Sequence, residues 1–196
     1  MALNIRSNER VAFIGRTGSG KTFLAERLTA PLHRLIIIDP NDVLSARFQP
    51  HVSWQRGVKV LLAGEQARLR VVEPALYGEV FRTAYQARNV VVYIDEAYGV
   101  TPPGGKPDEW LWALYTRGRA RGIGVWAATQ RPRFIPRFML SEAEWFFVFQ
   151  LNLEDDRQYL AGMIHPTLRH KVPDAHGFYY WNIQWDKPRY TPRLKV

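Results

Sequence analysis

Cysteine is absent from the sequence. That excludes a disulfide framework and a thiolate metal centre, and it fits a reducing compartment. Long apolar runs are also missing. The longest, such as "LIIID" and "VVVYID", stop at an acid after strand-like lengths. They fall far short of the roughly 18 apolar residues that cross a bilayer as a helix. The opening stretch "MALNIRSNER" holds no apolar core and does not read as a signal peptide. Lysine is scarce, confined to Lys21, Lys59, Lys106, Lys171, Lys187 and Lys195, so arginine carries most of the net charge of +9. A basic surface of this kind suits a polyanionic partner or serves solubility alone. No internal repeat, low-complexity tract, helix-turn-helix or zinc pattern is visible, which fits binding without base reading.

What is present is enough for a core. With 196 residues, 46% of them hydrophobic, the chain is sized for one domain that needs no staples. We read a single domain over 1–196, with its core at about 8–165 and an aromatic, strand-like region at 166–196. Buried strands are expected at "RVAFIG" (10–15), "RLIIID" (34–39), "NVVVYID" (89–95), "GIGVWAATQ" (122–130) and "EWFFVFQLN" (144–152). Shorter strands are expected near Val58–Leu62 and Leu69–Val72. Helical spacing marks 21–28, 76–88, 108–120 and 153–163. The aromatic run "GFYYWNIQW" (177–185) reads as a strand of a terminal hairpin. Apolar strands without polar alternation, separated by helices, predict an α/β fold with a mainly parallel central sheet covered by helices on both faces. Ligands of such sheets bind beyond the carboxyl ends of the strands, where Gly15, Asp95 and Gln130 fall.

"GRTGSGKT" matches the full Walker A spacing, directly after an apolar run and before helical residues. Each position has a physical reason. Gly15, Gly18 and Gly20 let the backbone curl, so that successive amides of Arg16, Thr17 and Ser19 point at an anion. The helix that follows adds its positive end and free amides. Lys21 reaches the terminal phosphates, and Thr22 offers a hydroxyl to Mg2+, which prefers oxygen ligands. In "VVVYIDEA", Asp95 ends a strand and is placed to hold the metal as a Walker B acid. Glu96 is the candidate general base for the attacking water. Gln130, in "AATQRP", is a candidate polar sensor of the terminal phosphate. The plainer readings are an exposed acid pair for Asp95 and Glu96, and a strand cap for Gln130. The full loop upstream weighs against them. Together these residues make a nucleoside triphosphatase.

The order "GRTGSGKT", "VVVYIDEAYGV", "YTRGRARGIGVWAATQRPRFIP", "SEAEWFFVFQLNLEDDRQYLAGM" resembles the FtsK–HerA superfamily of P-loop ATPases. It is similar in particular to the genome-packaging ATPases of icosahedral viruses with an internal membrane. The resemblance spans about residues 8–185 and implies a RecA/FtsK-like P-loop NTPase fold. It implies ATP with Mg2+ as cofactors, and an ATPase that translocates double-stranded DNA into a preformed capsid. Matched by motif, Lys21 and Thr22 are the loop residues, Asp95 the metal acid, Glu96 the catalytic glutamate and Gln130 the sensor. The family works as rings, usually hexamers, in which a neighbour's arginine completes the site. Arg119, in "GRARGIG", is the first candidate for that finger, with Arg117 and Arg121 beside it; a solvated basic helix end is the plainer reading.

Expected partners are therefore double-stranded DNA bound without sequence preference, other copies of the chain, and capsid vertex proteins. The expected locations are the host cytoplasm and the virion. Lys106, in "TPPGGKP" (101–107), and the cluster Arg131, Arg133 and Arg137 are candidates for phosphate contacts. The alternatives are a cellular HerA-type translocase or helicase, a filamentous-phage-type assembly ATPase, a small-molecule kinase and a non-catalytic nucleotide switch. The first normally carries extra domains and the second a transmembrane segment. A kinase needs no glutamate directly after its Walker B acid, and Glu96 also argues against a passive switch.

Overall fold

A computed structural model describes residues 3–44, 53–101 and 106–193. The strands are β1 (Arg10–Ile14), β2 (Arg34–Ile38), β3 (Ala67–Val71), β4 (Val91–Ile94), β5 (Gly124–Thr129), β6 (Trp145–Val148), β7 (Phe178–Asn182) and β8 (Arg189–Thr191). They form one sheet in the order β3-β2-β4-β5-β1-β6-β7-β8. The pairs from β3 through β6 are all parallel. β7 and β8 add to that edge as an antiparallel pair, the expected terminal hairpin.

The helices are α1 (Lys21–Thr29), α2 (Trp54–Leu62), α3 (Tyr77–Ala87), α4 (Ala97–Val100), α5 (Glu109–Arg117), α6 (Phe138–Ser141) and α7 (Glu154–Met163). Alternation along each strand divides the core in two. Val11, Phe13, Leu35, Ile37, Val91, Tyr93, Trp126 and Phe147 face one layer, where α1 contributes Leu24 and Ala25. Ala12, Ile14, Ile36, Ile38, Val92, Ile94, Val125 and Phe146 face the other, against Val80 and Phe81 of α3, Leu111 and Leu114 of α5 and Leu160 of α7. Both faces are dry, so the strands read as unbroken apolar runs rather than alternating ones.

One expectation fails. Val58–Leu62 is the second half of α2, not a strand. The stretch "VKVLL" looks β-like by itself, but Gly57 and Leu61 are the buried residues of that helix, four apart. Gly57 lies so close to Leu69 of β3 that a Cβ would stand 1.8 Å from its Cδ2. Other boundaries shift modestly. α5 opens at Asp108, whose side chain accepts from the amides of Trp110 (2.8 Å) and Leu111 (3.1 Å), an N-cap. It ends at Arg117, and Arg119–Arg121 form a separate 3-10 turn. Of the loop "TPPGGKP", residues 102–105 lie outside the described residues; Lys106 is exposed.

Candidate active site

The parallel strands deliver their carboxyl ends to one edge, and the loop after β1 sits at its centre. Gly15 donates its amide to the Thr129 carbonyl of β5 (3.1 Å), and Arg16 to the Gln150 carbonyl beyond β6 (2.7 Å). The loop is thereby stitched to both neighbours before it turns. Gly15 has no room for a side chain, since a Cβ would come within 2.6 Å of Phe149 Cβ. Gly20 enters α1 at φ 107, a left-handed conformation that costs glycine nothing. Lys21 then starts the helix almost fully buried. Its Nζ donates to the carbonyls of Gly15 (2.8 Å) and Arg16 (3.1 Å). An ammonium carries three donors, so one is left for an anion in the curl of the loop. Burial lowers the pKa of Lys21, while Glu96 and Asp95 pull it back up. Ser19 Oγ is buried with no hydrogen-bond partner among the described residues.

Asp95 lies just past β4, with its amide bonded to the Ile38 carbonyl (2.8 Å). One carboxylate oxygen, Oδ1, accepts from the Tyr93 hydroxyl (2.6 Å) and faces Thr22 Oγ1 at 3.5 Å. Burial pushes the Asp95 carboxyl up; the Tyr93 hydrogen bond and Lys21 pull it down, and Asp39 and Glu96 raise it. The Tyr93 phenol, wholly buried beside this acid, is held well above its ordinary value, so it stays a donor. Asp39, buried at the end of β2, is neutralised by Arg70, whose Nε lies 3.0 Å away.

Glu96 has φ 78, an uncommon conformation for a side-chain-bearing residue. The turn aims its carboxylate at β5. Glu96 Oε1 accepts from the Thr129 hydroxyl (3.1 Å), and Oε2 from the Gln130 amide (3.3 Å). Gln130 Oε1 accepts in turn from the Thr17 hydroxyl. Phosphate loop, general-base candidate and sensor candidate therefore form one hydrogen-bonded circuit. A cavity of about 400 Å³ opens beside Glu96 and Gln130, walled by Asn41, Tyr98, Arg131 and Phe134.

The residues fit a triphosphate and its metal. The loop has an uncommitted ammonium donor at its base, no room for a side chain at Gly15, and positive φ at Gly18 and Gly20. Thr22 and Asp95 supply oxygens, the donors Mg2+ prefers, side by side. Among the described residues there is no cluster of three or more His, Cys, Asp or Glu that would hold a metal alone.

Arg119 is not brought to this site within the chain. It stands before β5, at the amino edge of the sheet, and pairs with Glu144 (Nη1 to Oε1, 2.9 Å). Arg121 donates through Nε to the Tyr85 carbonyl (3.0 Å) and lies over the Tyr85 ring, 4.3 Å from its centroid. Arg117 lies over the same ring at 5.7 Å. Arg131, Arg133 and Arg137 are exposed just beyond Gln130, and Arg133 pairs with Asp155 (2.9 Å).

Four contributors were missed from sequence. Tyr93 and Thr129 hold the two acids. Gln150 receives the Arg16 guanidinium at 3.3 Å. Thr17, read only for its amide, bonds Gln130 through its side chain. Tyr93 had a signal: it stands two residues before Asp95 on a strand, hence on the same face. The others depend on the register between strands.

No protein-family model matches the chain. One curated relative, the DNA packaging ATPase P9 of Enterobacteria phage PRD1, is 36% identical over 76 residues. That match spans 39% of this chain and about a third (32%) of the relative. Among solved structures, the genome packaging NTPase B204 of Sulfolobus turreted icosahedral virus 2, in complex with AMPPCP, superposes with a TM-score of 0.77 at 16% identity. The superposition covers 96% of this chain and 100% of that one. The N-terminal domain of zonular occludens toxin from Neisseria meningitidis gives a TM-score of 0.54 at 18% identity, over 93% and 92% of the two chains. At such identities the superpositions establish the fold. The chain has the P-loop NTPase fold, and in both sequence and structure it is similar to the packaging ATPases of viruses, the FtsK–HerA resemblance that its motifs carry.

Proposed function

We propose that the chain is an Mg2+-dependent ATPase that drives double-stranded DNA into a viral capsid. The observation that carries this is the convergence of Lys21, Thr22, Asp95, Glu96 and Gln130 on one sheet edge. The likeness to P9 and B204 supports the packaging role. The loop amides and Lys21 bind the phosphates, and Thr22 and Asp95 hold the metal. When bound, Mg2+ neutralises charge on the phosphate oxygens. Glu96 takes a proton from water as the water oxygen bonds to the terminal phosphorus and the bond to ADP breaks. Thr129 keeps that carboxylate oriented, and Gln130 reports the terminal phosphate to the loop through Thr17.

The same reading makes the working unit a ring of copies, a hexamer by preference, with Arg119 of one copy reaching the site of the next. A guanidinium there matches the charge that builds on the transferred phosphoryl oxygens. Lys106, Arg131, Arg133 and Arg137 are the residues we assign to the DNA backbone, and capsid vertex proteins are the docking partners. In an infected host such a chain works in the cytoplasm and stays with the virion.

ATP hydrolysis measured with and without long double-stranded DNA tests this directly. Strong stimulation by DNA, falling with added salt as phosphate contacts are screened, is the expected result. Turnover indifferent to DNA, or phosphate transfer to a small acceptor, would overturn it.

A further inference from the structure

The turn that carries Arg119 is fixed in its backbone and open at its side chain. Gly118 donates its amide to the Leu114 carbonyl (3.1 Å), and Gly122 to the Arg119 carbonyl (3.0 Å). Gly122 closes the turn at φ 73, where a Cβ would stand 2.0 Å from Asn89 Oδ1. The turn is thereby pinned between α5 and β5. Its neighbouring arginines, Arg117 and Arg121, lie over the Tyr85 ring. Arg119 is held by an acid instead, with its Nη1 2.9 Å from Glu144 Oε1. Its side chain is 55% exposed and borders a cavity of about 320 Å³, shared with Arg6, Glu9, Trp145 and Asn182, so it has room to turn.

Glu144 is the fixed member of the pair. Its side chain is only 10% exposed. Its Oε2 accepts from the Arg10 amide (2.6 Å) and its own amide donates to the Arg10 carbonyl (3.0 Å). Its carbonyl accepts from the Ile183 amide (3.1 Å), just past β7. These bonds hold Glu144 between β1 and the C-terminal hairpin and leave Oε1 to Arg119. The pair therefore bridges two strand starts, β5 and β6, that flank β1 in the sheet. The buried Arg10 guanidinium is drawn by the same carboxylate and repelled by Arg119, which loosens the hold on Arg119.

We propose that Glu144 is a latch on Arg119: it keeps the guanidinium at home in an idle chain and yields it when a neighbouring copy presents a triphosphate. The proposal rests on the reading of Arg119 as the residue that completes a neighbour's site, and it adds the control of that residue. A guanidinium spent on a carboxylate is a poorer partner for phosphoryl oxygens. Only the unpaired fraction is competent, so turnover is scaled down by that fraction. A half-exposed pair is weak, which makes the latch shallow enough to open on contact. A triphosphate carries more negative charge than one carboxylate, so it wins the exchange.

Steady-state ATP hydrolysis by Glu144→Gln, with and without double-stranded DNA, tests this. The carboxamide keeps an oxygen for the Arg10 amide and loses the charge that holds Arg119. DNA-free turnover should rise by roughly twofold to fivefold, the weight of such a pair. The DNA-stimulated rate should stay level, because the neighbour's site already draws Arg119 across, so the stimulation by DNA shrinks. In the double variant Glu144→Gln with Arg119→Ala, the gain over Arg119→Ala alone should vanish. Thermal melting checks that each variant folds. Should the glutamine variant not fold, Glu144→Asp, which draws the carboxylate back from Arg119, takes its place with the same expected direction. DNA-free turnover that stays level or falls in a folded variant would overturn the latch, as would a gain that survives in the double variant. Normal turnover in Arg119→Ala alone would instead bring down the finger reading on which the latch rests.

Discussion

The two edges of the sheet are built to different ends. At the amino edge most polar groups are tied to partners in the frame, although the buried Arg10 Nε has none among the described residues. Arg10 is buried and donates to the carbonyls of Leu114 (3.3 Å) and Tyr115 (2.6 Å). Its own amide goes to Glu144 Oε2 (2.6 Å), and Glu144 also takes Arg119. Trp126 and Trp145 each send their indole N–H to Glu9, to its carbonyl and its carboxylate respectively. At the carboxyl edge the chain keeps costs that a merely stable protein would shed. A lysine is buried against its preference for the charged form, an acid is pushed toward protonation, and Glu96 holds a positive φ. The amino edge has a desolvated Arg10 and positive φ at Arg88 and Asn89 as well; what sets the carboxyl edge apart is that its strained and desolvated groups converge on one loop. The comparison separates a frame from a site made of the same strands.

Arg119 puts that division under the greatest load, because it sits in the frame and is proposed to act in a neighbour's site. Arg119→Ala should lower DNA-stimulated turnover by roughly a thousandfold while nucleotide binding persists, the scale of a lost arginine finger. Measured instead as a small loss of stability with normal turnover, it would return the amino edge to a purely structural role. The side chain is 55% exposed, so its ion pair with Glu144 contributes little to folding.

Glu96→Gln comes next. It should cut turnover by roughly a hundredfold to a thousandfold with ATP still bound, as expected for a removed general base. Hydrolysis at the ordinary rate would place the base elsewhere. Glu144→Ala acts on the frame, although it also releases Arg119. It strips the acceptor from the buried Arg10 amide and should cost about 2 kcal/mol in denaturant unfolding, with ATP affinity unchanged. A loss of ATP affinity without a loss of stability would blur the two edges. The smallest effect is expected from Thr129→Val, which frees Glu96 from one hydrogen bond. Turnover should change by only a few-fold, with no effect on binding, in a steady-state assay.

The sequence was most legible where chemistry is local. "GSGKT" and "IDEA" name their own residues, because a loop curling on a phosphate needs glycine and lysine at fixed offsets. The strands from Val11 to Ile14 and from Val91 to Ile94 were visible because both faces are buried, so nothing polar interrupts them. Val58–Leu62 was misread because its apolar residues crowd one half of a short helix, and the glycine that fixes the helix on β3 carries no hydrophobic signal. The circuit of Thr17, Gln130, Thr129 and Glu96 was only half visible. It joins three strand ends through registers that no single stretch of sequence states. Arg119 stands out in the sequence as the first candidate finger, but its pairing with Glu144 is not legible across the sheet.

The central claim is that Lys21, Thr22 and Asp95 hold a triphosphate and its metal at the carboxyl edge. A crystal structure with Mg2+ and a non-hydrolysable ATP analogue tests it most directly. The account predicts the terminal phosphates within hydrogen-bond reach of Lys21 Nζ and the metal on Thr22 Oγ1 with Asp95 beside it. An analogue bound elsewhere, with the loop after β1 empty, would contradict it.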